Sequence, residues 1–229
     1  MEKIIINKKF LIRLVVALLG AFLIGFGGGV ALTSGLGSDP FRFLWWGVNQ
    51  HLPAAIQGNF FVISIIMNVF IILVILPIER REIGIVTVLG FFAMGLGMDL
   101  SQPLVPFIIE LEGQSFILHF LVLLIGFVIL AIGSGFSSYS PHGKAAYIAL
   151  TFAIVRRFNL SNPWIAKIRM STDATNTALA VILFSLASFD WQQIVPMMIG
   201  PLVAVLIIGP MLRFFYNLFG KVFPILRPE

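Results

Sequence analysis

Six apolar stretches decide what this chain can fold into. They run near residues 10–34, 58–77, 83–107, 115–138, 168–189 and 193–216, and a helix that crosses a bilayer needs about 20 mostly apolar residues. Only 11% of the 229 residues are charged, against roughly 25% in ordinary soluble domains, so there is too little charge to cover a water-facing surface. A soluble globular enzyme is excluded. The expected fold is an all-α polytopic membrane protein with six transmembrane helices.

Orientation follows from the basic residues. With the N-terminus in the cytoplasm, 14 of the 15 lysines and arginines fall on the inner side or at its interface, from Lys3, Lys8, Lys9 and Arg13 to Lys221 and Arg227, and only Arg42 falls outside. Cytoplasmic loops carry this excess in inner-membrane proteins. Asp39, Glu110, Glu112 and Asp190 fall in or near outer connections. Both termini are therefore expected in the cytoplasm, and the net charge of +5 reflects insertion rather than nucleic-acid binding. The first stretch follows basic residues as a signal peptide does, but it ends in ALTSGLGSDPF without a small-residue cleavage site, so it is read as a retained span.

The chain also reads as two halves, residues 1–112 and 113–229, in one membrane domain. The first span ends in a glycine-rich run, GFGGG, followed by the turn GLGSDPF and a short amphipathic segment in which Phe41, Leu44, Trp45, Val48 and Leu52 share one side while Arg42, Asn49 and Gln50 share the other. The fourth span repeats that order. AIGSGFSSYSPHGKAA leads into an apolar run, Ala145 to Val155, of 11 residues, too short to span. Such elements lie in the interface or re-enter the bundle. Three spans per half is an odd number, so the second half should sit inverted relative to the first, as in many secondary transporters whose sites lie at the repeat interface near broken helices.

Several polar residues are candidates for a substrate or ion pathway. Asp39 fits an N-cap with Pro40 at the first helical position, and that helix start could equally form one lip of a solute path. The corresponding lip is Pro141, His142, Gly143 and Lys144. Asp99 sits near the outer end of the third span, where a carboxylate either caps the helix or faces a polar interior. In the fifth span the apolar part, Ala178 to Phe189, has 12 residues and covers only about 18 Å of a core about 30 Å thick. The preceding turns must be drawn inside, bringing Arg169, Asp173 and Asn176 on one helix face. Asn68 and His119 are lone polar residues in apolar surroundings, suited to interhelical hydrogen bonds. Gly25 and Gly29 stand in GxxxG spacing, suited to close helix packing. There are no cysteines, His51, His119 and His142 lack metal-ligand spacing, and no cofactor motif appears.

Together, GLGSDPF, the aspartate of MGLGMDL, the turn SPHGKAA, Arg169 with Asp173 four residues on, and the IGP triplets at 199–201 and 208–210 resemble the YczE/YyaS/YitT-type bacterial inner-membrane proteins. The second turn departs from that pattern, with His142 and Lys144 where an acidic residue is usual. The resemblance implies a multi-pass plasma-membrane fold and, by analogy, transport. The expected function is a secondary transporter or permease for a small solute, and the alternative is a non-transporting membrane scaffold or accessory subunit. No nucleophile–base pair or phosphate loop points to an enzyme. The expected partners are the lipid bilayer and a small solute, with a homo-oligomer left open.

Overall fold

The computed structural model describes residues 8–57, 60–108, 111, 113–140, 142–187, 190–223 and 225; Lys3, Glu110, Glu112, Pro141, Phe189 and Arg227, used above for topology, turn and span, lie outside them. Among the described residues the chain is helical throughout, without strands: α1 (Lys8–Thr33), α2 (Pro40–Asn49), α3 (Phe60–Glu79), α4 (Ile85–Ile108), α5 (Phe116–Ser137), α6 (Ala146–Arg157), α7 (Pro163–Leu186), α8 (Trp191–Met197) and α9 (Ile199–Val222). Four stretches are long and apolar enough to cross a membrane: Lys9–Thr33, Ile85–Leu104, Phe116–Ser137 and the α8–α9 stretch Trp191–Val222. α3 and α7, with 20 and 24 residues, have spanning length at about 1.5 Å per residue, but α7 carries Lys167, Arg169 and Asp173 in its first half. Large apolar side chains such as Val15, Phe70, Phe92, Ile125, Ile182 and Leu206 are exposed on these helices. In water such a surface would aggregate, and against lipid it is the expected one.

Two boundaries differ from the sequence reading, and both have a local cause. α7 starts at Pro163 rather than 168, with the proline in its first turn, where its missing N–H costs nothing. The last stretch is broken at Met198. There the Gly200 N–H donates to the Leu36 carbonyl at 2.7 Å instead of closing a helical turn.

α1 packs between α4 and α5, and glycines set how closely. A methyl group at Gly20 would lie 2.6 Å from the Gly133 carbonyl oxygen, and one at Gly133 would lie 2.5 Å from the Gly20 oxygen. Gly27 and Gly126 face each other in the same reciprocal way, so α1 and α5 cross with backbone on backbone. Gly25 and Gly29 turn to α4, where a methyl at Gly25 would meet Met94 and one at Gly29 would meet Ser101. Small residues permit such approach where lipid gives no hydrophobic drive. The short helices are exchanged: α2 packs on α7, and α6 packs on α3.

Two turns hold these short helices in place. Gly37 at φ +90° and Gly143 at φ +88° adopt a backbone conformation that a side chain would strain. The first turn is bound by Gly200 through Leu36, and the second by Val86, whose N–H donates to the His142 carbonyl at 3.1 Å. Each turn is thus held at the start of a long helix distant in sequence.

Candidate polar centre

The first turn of α2 builds one side of the centre. The Asp39 carboxylate accepts from the Phe41 N–H at 3.1 Å and the Arg42 N–H at 3.3 Å, satisfying amides that a helix start leaves open. Its other oxygen pairs with the Arg42 guanidinium. Arg42 also donates from Nη2 to the Ile24 carbonyl at 3.1 Å, and the guanidinium fills the space left by Gly28, where a methyl group would collide with it. Arg42, assigned by the sequence to an outer polar face, is instead buried. The arginine tolerates burial because its charge is paired with Asp39 and both terminal nitrogens make a hydrogen bond.

α7 and α6 build the other side. Arg169 Nε donates to Asp173 at 3.0 Å, the Tyr147 hydroxyl donates to the other Asp173 oxygen at 2.6 Å, and Asn176 Nδ2 donates to the Tyr147 hydroxyl at 2.8 Å. The Arg169 guanidinium lies 3.9 Å over the Tyr147 ring, a cation–π geometry. Arg169 is 2% exposed and Asp173 0%. Phe41 of α2 stacks on Tyr147 of α6 at 4.6 Å between centroids, so the first turns of the two short helices meet face to face.

Between them is a cavity of about 20 Å³ lined by Asp39, Arg42, Trp45, Ala145, Tyr147 and Arg169, among others. A second cavity of about 360 Å³ shares Arg42 and Trp45 and is otherwise lined mainly by apolar side chains, including Leu32, Trp46 and Met197. Its size is that of a small-molecule pocket. Arg42 Nε, Trp45 Nε1 and Arg169 Nη1 are buried without a hydrogen-bond partner. Buried donors of this kind are rare and call for an occupant or a reason.

The structure brings together Asp39, Arg169, Asp173 and Asn176, and separates the rest. Asn68 is buried in α3, and Asp99 is exposed on α4. His142 lies in the second turn, its ring 4.4 Å from that of Phe10. Lys144 is buried in a different cluster. It pairs with Glu82, which also accepts from Arg156 at 2.9 Å, and the Lys144 N–H donates to the Glu82 carbonyl at 3.2 Å. Burial pulls the Lys144 ammonium below the ordinary lysine range, with the Glu82 charge working against that shift. His119 places Nδ1 2.6 Å from the Ser34 carbonyl oxygen and Nε2 3.1 Å from the Leu111 carbonyl oxygen. Sequence reasoning missed Arg42, Trp45, Tyr147 and Glu82. Tyr147 was concealed within an apolar run, and Glu82 within the charged run ERRE, which reads as a solvated loop.

A family model described as Family of unknown function (DUF6198) matches residues 11–217. No curated protein and no solved structure matches.

Proposed function

The chain belongs to the DUF6198 family, and we propose that it is a secondary transporter or permease moving a small solute through the polar centre between α2, α6 and α7. The observation that carries this reading is a set of buried ionisable groups, Asp39, Arg42, Arg169 and Asp173, around a cavity that borders a larger one. Charged groups inside a membrane bundle are expensive and mark solute or ion pathways. A bundle serving only as a scaffold has no use for three buried donors without partners.

The proposed architecture is six spans, α1, α3, α4, α5, α7 and α9, in two halves of opposite orientation, with both termini in the cytoplasm of a bacterium and the chain in its inner membrane. Support comes from pairs of positions 106 residues apart: Gly20 and Gly126, Gly27 and Gly133, Gly37 and Gly143, and the helix starts Pro40 and Ala146. Reciprocal contacts favour the same exchange. Gly20 meets Gly133 while Gly27 meets Gly126, and Phe41 stacks on its counterpart Tyr147, as a two-fold axis between them requires. The resemblance to YczE/YyaS/YitT-type proteins is a finer assignment of the same kind.

The test is untargeted solute analysis of a deletion strain against an overexpressing strain, followed by uptake into liposomes holding the purified chain. A solute that accumulates only with the chain present and fails to do so with Arg169→Gln supports transport. Liposomes that stay impermeable to every differing solute would favour the scaffold.

A further inference from the structure

We infer that the centre binds a small monovalent anion, a halide or a carboxylate group, as the N-cap that α6 lacks. The inference rests on the transport reading and names its solute class. α2 and α6 start at corresponding positions, but their caps differ. Asp39 caps α2 with its carboxylate, whereas Ala145 precedes α6 and no side chain caps that helix. The Ala145 N–H donates to Ser137 Oγ at 3.0 Å and the Ala149 N–H to the Ala145 carbonyl at 2.8 Å. Between them, the N–H groups of Ala146, Tyr147 and Ile148 have no side-chain acceptor. A helix start with open amides and its positive dipole end attracts negative charge.

An independent feature points to the same spot. Arg169 is 2% exposed, lines the small cavity together with Ala145, Tyr147 and Ile148, and keeps Nη1 without a partner. Its Nε is committed to Asp173, so the free donor is the one left for a ligand. Arg42 Nε and Trp45 Nε1 add two unpartnered donors from the α2 side, while the Asp39 charge is held by Arg42. Donors thus predominate among the uncommitted groups. The cavity of about 20 Å³ accommodates one water-sized group, which limits the occupant to a single ion or the head of a carboxylate.

The experiment uses the purified full chain in neutral detergent at constant ionic strength, with isethionate, a sulfonate without a carboxylate, as the reference anion. Its thermal unfolding midpoint is followed while chloride or formate replaces isethionate. Saturable stabilisation by either is expected, formate alone assigning a carboxylate and chloride alone a halide. Ala145→Asp supplies the cap from within and should raise the midpoint in isethionate while weakening the anion response at least tenfold in apparent Kd. Ala145→Ser makes the same comparison if the aspartate variant does not fold. No saturable response in the native chain, or an undiminished one in the capped variants, overturns the site. Anion binding without anion uptake into liposomes would instead overturn the transport reading and leave the site standing, and uptake of a neutral solute without anion binding would do the reverse.

Discussion

Replacing Gly20 by alanine tests the backbone contact between α1 and α5. The added methyl would stand 2.6 Å from both the Gly133 oxygen and the Ser137 nitrogen, about 0.8 Å inside ordinary van der Waals contact. Both neighbours are backbone, so no rotamer change relieves the overlap and the helices must separate. Overpacking of this kind costs about 1–3 kcal/mol. Gly133→Ala forces the same crossing apart from the other side, with 2.5 Å to the Gly20 oxygen. Once one methyl has opened the crossing, the second needs little more room. The double variant should therefore be less damaged than the two single losses combined, by about 1 kcal/mol. Gly95→Ala is the control, since nothing lies within 4 Å of a methyl there, and helix propensity makes it neutral or stabilising by up to about 1 kcal/mol. Reversible unfolding in mixed micelles of neutral detergent and dodecyl sulfate gives the four values. Gly20→Ala matching Gly95→Ala, or strict additivity of Gly20→Ala and Gly133→Ala, would refute the close crossing.

Arg169→Met leaves the Asp173 carboxylate buried with only the Tyr147 hydroxyl and should cost about 3–5 kcal/mol, whereas Arg169→Met with Asp173→Leu should recover most of the unfolding free energy while abolishing uptake; restored uptake in that double variant would discard the pair as part of the site. Glu82→Gln strands Lys144 and should destabilise by about 3–5 kcal/mol in the same assay, but Arg156→Ala, whose side chain is 53% exposed, should cost at most about 1 kcal/mol. A reporter fused after Glu229 should read as cytoplasmic and one inserted near Glu112 as external, and the opposite signal at either end would break the orientation drawn from the basic residues. Cysteines placed at Ala146 and Ala149, both 0% exposed, should resist aqueous thiol reagents, and rapid labelling at both would contradict burial of α6.

Apolar length made the long helices legible, because lipid leaves a chain no other way to satisfy its backbone. The short run Ala145–Val155 was recognisable for the same reason: it was too apolar for a loop and too short for a span. Arg169, Asp173 and Asn176 were found from the shortage of apolar residues in α7 together with their helical spacing. Arg42 was misplaced because its burial depends on a contact 14 residues back in sequence, at Gly28, which no local pattern reveals. Tyr147 and Glu82 depend on partners farther away, Asp173 and Lys144. Periodicity reports which face a residue occupies and says nothing of what stands opposite.

The exchange of short helices changes what can move. α2 is joined by chain to α1 but rests on α7, and α6 is joined to α5 but rests on α3. Halves divided at residue 112 could not rock as rigid blocks without stripping each short helix from its support. On the proposed transport reading, any motion must therefore carry α2 together with α7 and α6 together with α3. The turns that join those short helices to α1 and α5 both bend backwards, at Gly37 and Gly143, so on the proposed transport reading stiffening the Gly143 turn, which is outside the lining of both cavities, should slow uptake.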